Sequence, residues 1–232
     1  MRQIDKEFKN PGVEHRAKPF WSWNGELTTE ELMRQIDVLE DMGFGGFFMH
    51  SRTGLQTEYL GEDWFRLTNE CADEAKKRGL EAWLYDEDRW PSGAAGGFVT
   101  KDEQYRARYL LFTCEPYGQN DDGGPSTDDS SARAVRTENG RLLACYDVQL
   151  NEDGSLKAYR QIGEKDAAEG TKWYAYLEMP APNPWYNNQT YVNTLDKKAI
   201  DRFIEVTHEA YKREVGDEFG KAIPAIFTDE PQ

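Results

Sequence analysis

The sequence is poor in histidine and cysteine, and it has too few basic residues to balance its acids. Its 232 residues include 3 His and 3 Cys, and 28 Lys and Arg stand against 43 Asp and Glu, which gives a net charge of −15. Without a CxxC pair or closely spaced histidines, a zinc or redox thiol site is not favoured. The negative field repels nucleic acid and anionic membranes, so we expect neither as a partner, whereas neutral ligands remain open.

Long apolar runs are also lacking. No stretch approaches the roughly 18 apolar residues of a membrane span, and the start, MRQIDKEFKNPG, has no apolar core of the kind found in secretory signals. We therefore expect a soluble, cytoplasmic protein. Aromatic residues, in contrast, are plentiful: 7 Trp, 12 Tyr and 11 Phe, within a 38% share of hydrophobic residues, supply enough apolar area for a folded core.

Three strand-helix units can be predicted before residue 100. The predicted strands are residues 19–23, 45–50 and 80–85. Thr28 and Glu31 have the spacing of a capping box at the start of the first helix, which Gly43 ends. A second helix, with Trp64, Leu67, Cys71 and Ala75 on one face, ends in basic residues before Gly79. This alternation predicts a parallel sheet covered by helices.

The alternation stops after the third strand. Strands are predicted at residues 107–114, 141–150 and 172–177, with a hairpin turn at 151–154 and a polar, flexible loop at 117–131. A helix over 196–215 and a fourth strand over 223–227 then resume the pattern. We expect three parts: residues 1–100 with three βα units, a β-rich insertion at 101–180, and residues 181–232 with the last helix and strand.

The predicted fold class is α/β, a partial (β/α)8 TIM-type barrel with an antiparallel β insertion after strand three. A complete barrel takes about 250 residues without insertions, whereas only four units can be counted here. We therefore expect the chain to be truncated and the carboxyl-terminal half of the same enzyme to be missing. Half a barrel has an open sheet edge, so the piece alone is expected to be inactive.

Polar and aromatic residues follow the predicted strands at their carboxyl ends, where parallel α/β folds bind ligands. Cleavage of a glycosidic bond needs a carboxylic acid that protonates the leaving oxygen. It also needs a second carboxylate that either activates water or attacks the anomeric carbon. Glu230 is the candidate general acid, expected to be buried and protonated at working pH. The candidate substrate-binding residues are Trp23, Asn24, His50, Arg52, Asp86, Glu87, Trp90 and Asp229.

Each of these residues has a plainer interpretation. Glu230 is equally well read as a surface acid or a helix cap, each tryptophan as core or loop packing, and His50 as a core histidine. His50 with Asp86 and Asp88 has the residue types of a hydrolytic metal site, but no HxH or HxxxH pair supports one. The glycines at 93–97 lack the spacing of a dinucleotide loop and the lysine of a phosphate loop.

Four motifs resemble one known group of enzymes: "FWSWNGELTTEELMRQIDVLEDMGFGGFFMHSRTGL", "AWLYDEDRWPSG", "NPWYNNQTYVNTLD" and "IFTDEP". In this order they are similar to the amino-terminal barrel region of the alpha-L-rhamnosidase-like glycoside hydrolases, family 106 and unclassified relatives. The likeness covers nearly the whole chain outside 117–131. It implies a (β/α)8 barrel with the general acid at Glu230, a second carboxylate on a later strand, and β-domains after the barrel.

The resemblance also bears on mechanism and cofactors. Family 106 is inverting, so inversion is expected, although many retaining glycosidases have Asn where this chain has Asp229. Some members use calcium, for which no ligand can be matched here, so no cofactor is assigned. The predicted function is a glycoside hydrolase acting on a carbohydrate, with α-L-rhamnosides among the candidates. The alternative is a non-catalytic carbohydrate-binding protein on a degenerate barrel.

Overall fold

The computed structural model describes residues 2–118 and 136–232, so most of the predicted loop at 117–131 lies outside the described residues. The helices and strands, in chain order, are α1 (Gln3–Lys9), β1 (Phe20–Trp23), α2 (Thr29–Asp41), β2 (Gly46–Ser51), α3 (Glu62–Arg78), β3 (Glu81–Tyr85), β4 (Tyr109–Thr113), β5 (Arg141–Leu150), β6 (Leu156–Ile162), β7 (Thr171–Glu178), α4 (Lys197–Val206), α5 (His208–Val215) and β8 (Ile226–Phe227). None of these helices is both long and apolar enough to cross a membrane.

The chain divides into two compact units. The first comprises Met1–Lys101 and Thr194–Gln232, and the second Asp102–Asn193. The first unit contains a parallel sheet in the order β1-β2-β3-β8, and the second an antiparallel sheet in the order β4-β7-β5-β6. The α/β class, the four parallel strands and the separate antiparallel sheet are thus confirmed, while the barrel itself stays a proposal.

One face of the parallel sheet carries the core of the first unit. Side chains alternate along a strand, so Trp21 and Trp23 both point to the helices, where the ring of Trp23 lies 5.0 Å from that of Trp64. Phe47 on β2 and Ile36 on α2 complete this buried cluster. Burial of these large side chains supplies the main stabilisation of the unit, at about 25 cal/mol per Å² of apolar surface.

The other face of the sheet is aromatic and only partly covered. Phe20, Phe48 and Phe227 contact one another with ring centroids 5.0 to 5.6 Å apart. Tyr85 lies on the same face, 6.1 Å from Phe227 and 3.8 Å from the ring of His50. Phe20 remains 49% exposed. This aromatic face leads along the strands to their polar carboxyl ends.

The predicted helix ends are largely confirmed. Thr28 caps α2, since its hydroxyl accepts a hydrogen bond from the Glu31 amide at 3.3 Å, but the Glu31 side chain turns to Arg34 instead of completing the capping box. Gly79 ends α3 with a φ of +68°, a left-handed conformation that glycine adopts without strain.

Two predicted elements differ from the structure. The single helix expected at 196–215 is two helices, which part at Thr207, where the hydroxyl bonds back to the Phe203 carbonyl at 2.8 Å. The fourth strand is shorter than expected and begins at Ile226, because Pro224 lacks the N–H that a continuous ladder needs. Even so, the carbonyls of Ala222 and Ala225 accept bonds from β3.

The second unit is a four-stranded antiparallel sheet in which β5 lies between β7 and β6. The predicted strand at 141–150 and the turn at 151–154 are confirmed by β5 and by the bond from the Asn151 amide to the Ser155 carbonyl. Strand β6 was not predicted, because all of its residues except Ile162 are exposed and show no apolar alternation.

We expect Tyr211→Phe to lower the free energy of unfolding of the first unit by about 1–3 kcal/mol. The buried Tyr211 hydroxyl accepts a hydrogen bond from Trp64 Nε1 at 3.0 Å and donates one to the Tyr85 carbonyl at 3.3 Å. Removal of the hydroxyl would leave the Trp64 N–H and the Tyr85 carbonyl without these bonds. Urea unfolding measures the change. Tyr159→Phe, which removes an exposed hydroxyl from the second unit, is the control, and equal stabilities for wild type and Tyr211→Phe would contradict the assignment.

Candidate functional site

The candidate site is built where β3 and β8 end side by side. The Asp86 amide donates to the Phe227 carbonyl at 3.2 Å, and the Ser92 amide donates to the Asp229 carbonyl at 2.8 Å. The Ser92 hydroxyl also accepts a bond from the Asp229 amide at 2.9 Å. The segment after β3 is therefore hydrogen-bonded to the segment after β8, and these bonds fix the backbone of Asp229.

Asp86 is the centre of this network and is fully buried. One of its carboxylate oxygens accepts a bond from the Ser92 hydroxyl at 2.6 Å, and the other contacts the Thr228 hydroxyl at 2.6 Å and His208 Nε2 at 2.9 Å. Three segments of the chain, namely the loop after β3, the end of β8 and α5, thus meet on one carboxylate. Asp86 serves to hold the strand ends together, which leaves its oxygens occupied by the protein's own donors.

Glu87 is a second buried carboxylate with an internal role. Its oxygens accept bonds of 2.5 to 2.9 Å from the backbone amides of Asp88, Gly93, Ala94, Ala95 and Gly96. Burial raises the pKa of Glu87 to about 7, against the opposing effect of these bonds. Glu87 was predicted to bind substrate, but the structure places it inside the loop that follows β3, as the anchor of that loop.

Asp88 connects this loop to β2. It accepts a bond from the Ser51 hydroxyl at 2.7 Å and forms an ion pair of 3.2 Å with Arg89. The acids that follow β3 are therefore scaffold groups in the described part of the chain, each tied to donors from a neighbouring segment. The ends of β2, β3 and β8 are joined through them.

Glu230 differs from these acids because its side chain is exposed. Its Oε2 accepts a bond from Trp90 Nε1 at 3.0 Å, and its backbone has a φ of +40°, a strained value for a residue with a Cβ. The predicted burial of Glu230 is not observed. β8 pairs with β3, and no strand pairs with its other side within residues 2–118 and 136–232.

The Asp229 side chain connects Glu230's neighbourhood to the aromatic face of the sheet. Its Oδ2 accepts a bond from the Tyr85 hydroxyl at 2.7 Å. Burial and this bond together raise the pKa of Tyr85. Because Tyr85 in turn packs on His50, the predicted site residues His50 and Asp229 belong to one contiguous group.

His50 is 4% exposed, and neither ring nitrogen has a hydrogen-bond partner among the described residues. Burial, reinforced by the charge of Arg52, lowers its pKa to about 4, so the ring is neutral at pH 7. Arg52 is partly buried and forms no ion pair in the described part of the chain, and its amide donates to the Trp23 carbonyl at 3.1 Å. Both side chains retain unused hydrogen-bonding groups.

Two other predicted residues, Trp23 and Asn24, differ in their exposure. Trp23 is 1% exposed and lies in the helix-facing core, so the prediction that it stacks on a sugar is wrong. The physical reason is strand alternation, which turns Trp23 to the same side as Trp21. Asn24, the next residue, is exposed at the end of β1, and its carbonyl lies close to Gly54.

The residues that sequence analysis missed are Ser92, His208, Thr228 and Tyr85. Tyr85 ends a predicted strand on the same face as His50, and Thr228 adjoins Asp229, so alternation and proximity were available signals. His208 lies in a helix more than a hundred residues from Asp86 along the chain, and no local pattern distinguishes it from a surface histidine.

A calcium site, which the resemblance implies for some relatives, would need several oxygen ligands grouped together. Among residues 2–118 and 136–232, no three His, Cys, Asp or Glu side chains are grouped so as to hold a metal ion. Asp86 and Glu87 already accept the bonds of neighbouring donors. These residues do not fit a calcium site, and none is assigned.

We expect Ser92→Ala to lower the free energy of unfolding of the first unit by about 1–3 kcal/mol, because Asp86 and the Asp229 amide each lose a buried partner. The matched control is Ser22→Ala, since Ser22 is exposed on β1. Urea unfolding followed by tryptophan fluorescence compares the two. If both substitutions cost the same, the Ser92 link does not hold the strand ends.

The buried neutral His50 predicts a pH dependence. The unfolded chain binds a proton at His50 near pH 6.5 and the folded chain only near pH 4, so acidification favours unfolding across this window. Between pH 7 and pH 5, wild type should lose about 2 kcal/mol more stability than His50→Phe. Urea titrations of both proteins at the two pH values supply the comparison, and identical losses would contradict a neutral, buried His50.

Comparisons with known proteins include a partial similarity to a solved structure. Neither family models nor curated proteins match the chain. Among solved structures, the chain is similar to a rhamnosidase from Novosphingobium sp. PP1Y, with a TM-score of 0.42 and 18% sequence identity over 68% of this chain. The match covers 17% of the rhamnosidase, so the chain spans only a small part of that protein's length.

Proposed function

We propose that the first unit contributes half of the active site of a glycoside hydrolase, in which Glu230 is the general acid. The sheet would be part of a (β/α)8 barrel, and the second carboxylate would lie on a strand outside this chain. The substrate would be a glycan or glycoside, with α-L-rhamnosides as the first candidates from the sequence resemblance.

The observation that carries this proposal is the contrast between Asp229 and Glu230. Asp229 is fixed by Tyr85 and by two bonds to Ser92, whereas the exposed Glu230 carboxylate accepts one hydrogen bond among the described residues, from Trp90 Nε1 at 3.0 Å. A proton donor needs this combination, since rigid support sets its position and an open face admits the glycosidic oxygen.

Protonation of the leaving oxygen requires Glu230 to hold a proton when the bond breaks. A sugar ring bound over Trp90 and Glu230 would displace water from the carboxyl group, which favours the neutral form. Trp90 would then act twice, with its ring against the apolar face of the sugar and its Nε1 orienting Oε2. Transfer of the proton leaves a carboxylate that Trp90 Nε1 stabilises.

The remaining candidates would position the substrate. The side chains of Arg52 and Asn24 have no hydrogen-bond or ion-pair partner among the described residues. These residues follow β2 and β1 at the same end of the sheet as Glu230. They would bond to sugar hydroxyls. Asp86 and Asp229 would act through the network that holds the strand ends, as positioning residues.

A carbohydrate-binding protein without catalysis is the second candidate. The carboxylates of Asp86, Glu87 and Asp88 already accept hydrogen bonds from the protein. Among the described residues, none of these three acids is thus open to act as the second catalytic carboxylate, which favours binding without catalysis. Hydrolysis of aryl glycosides separates the two functions, because the binding protein would retain sugar affinity and release no aglycone.

We expect Glu230→Gln in the native full-length protein to reduce kcat by about 10²–10⁴-fold, the usual contribution of general acid catalysis, while substrate binding is retained. Glutamine keeps the shape and the acceptor for Trp90 but carries no proton to donate. Rates with aryl glycosides and equilibrium binding of the same sugars give the two readouts.

Glu26→Gln is the matched control, because Glu26 is exposed and follows β1, the strand at the opposite edge of the sheet from β8. Full activity in the Glu230 variant would refute its role as the acid. An aryl glycoside with a highly acidic leaving group should lose the least rate, since it needs little protonation.

A further inference from the structure

The antiparallel sheet of the second unit has one face that carries a row of aromatic rings. Trp173 on β7 is paired with Tyr146 on β5, and Val148, two residues after Tyr146, is paired with Tyr159 on β6. Phe112 on β4 lies 4.8 Å from Trp173 and 5.9 Å from Tyr146, and Tyr146 lies 6.4 Å from Tyr159. We call this surface the platform face.

The row crosses all four strands and is accessible. With strands about 4.8 Å apart, it extends over about 14 Å. Phe112 is 48% exposed and Tyr159 67% exposed, at the two edge strands. Exposed rings of this size are normally covered by a ligand or partner.

The charged strand residues that the structure describes on the platform face are all basic. Arg141 pairs with Leu177, and Lys157 is two residues from Tyr159, so both bases share the face with the aromatic row. Both are exposed, and neither forms an ion pair among the described residues. In a chain of net charge −15, two bases without acids form a distinct local environment.

The acids of the four strands point the other way. They are Asp147 and Glu178, which alternate with Tyr146 and Leu177. Asp147 is bonded to Arg160 and to the Gly170 amide, and Glu178 to the Tyr109 hydroxyl. On the opposite face, the acids are thus paired by hydrogen bonds within the protein. The described strand residues of the platform face include aromatic rings and cations but no acid.

We infer that the platform face binds a linear glycan that carries carboxylate groups, a chain rich in uronic acids. Aromatic rings stack on sugar rings, and the two cations, set apart at different corners of the sheet, suit a polymer with one charge per sugar. Nucleic acid has a denser line of phosphates that needs closely spaced bases, which the two separated cations of this face do not supply. This binding site is separate from cleavage at Glu230.

Binding is tested with the whole chain and an oligomer of galacturonic acid, measured by calorimetry at low and high salt. The same oligomer with methyl-esterified carboxylates and a single-stranded polyuridylate are the comparison ligands. Tyr159→Ala tests the aromatic row, and Arg141→Gln and Lys157→Gln test the charges. Lys165→Gln is the charge-matched control, since Lys165 is exposed in a loop of the same unit.

We expect the acidic oligomer to bind, and Tyr159→Ala to weaken it by about tenfold. Each charge variant should weaken it several-fold and flatten the salt dependence, and Lys165→Gln should bind as wild type does. The exposed positions of the variants keep folding intact, which circular dichroism checks. No binding, equal binding of the esterified oligomer, tighter binding of polyuridylate, or an equal loss in Lys165→Gln would each overturn the inference. Loss of hydrolysis at Glu230 would not affect it.

Discussion

The bonds around Asp86 are the interaction on which the site depends. This carboxylate is fully buried, and it joins Ser92 from the loop after β3, Thr228 from the end of β8 and His208 from α5. A buried charge is costly unless it is bonded on all sides, so these groups are held to one arrangement. The position of Glu230, two residues after Thr228, follows from it.

The same principle organises the neighbouring acids. Glu87 accepts hydrogen bonds from the backbone amides of Gly93 to Gly96, and Asp88 accepts one from the Ser51 hydroxyl. A run of three acids after a strand looks like a ligand-binding cluster, yet here it is used to fold a glycine-rich loop. Glu230 accepts one hydrogen bond among the described residues, from Trp90, and it is therefore the carboxylate that we propose for a ligand.

The two units illustrate how one negatively charged chain can hold sites of different character. The strand ends of the first unit combine acids with Arg52 and a neutral His50, which suits sugar hydroxyls. Among the described strand residues, the platform face of the second unit has rings and bases without acids, which fits the charged glycan that we infer. Net charge alone, which argued against anionic partners, describes neither surface, because screening makes the local charges dominate at contact distance.

Local patterns in the sequence determined the parallel strands, the cap at Thr28 and the left-handed end of α3 at Gly79, because alternation, side-chain capping and glycine's freedom act within a few residues. They also placed Asp229 and Glu230 at a strand end. Only the tertiary structure decided that Trp23 faces the core, that Glu87 anchors a loop, that Glu230 is exposed and that His208 reaches Asp86. Burial and hydrogen-bond partners come from segments far apart in the chain, and no local pattern predicts which distant segment will pack against a given residue.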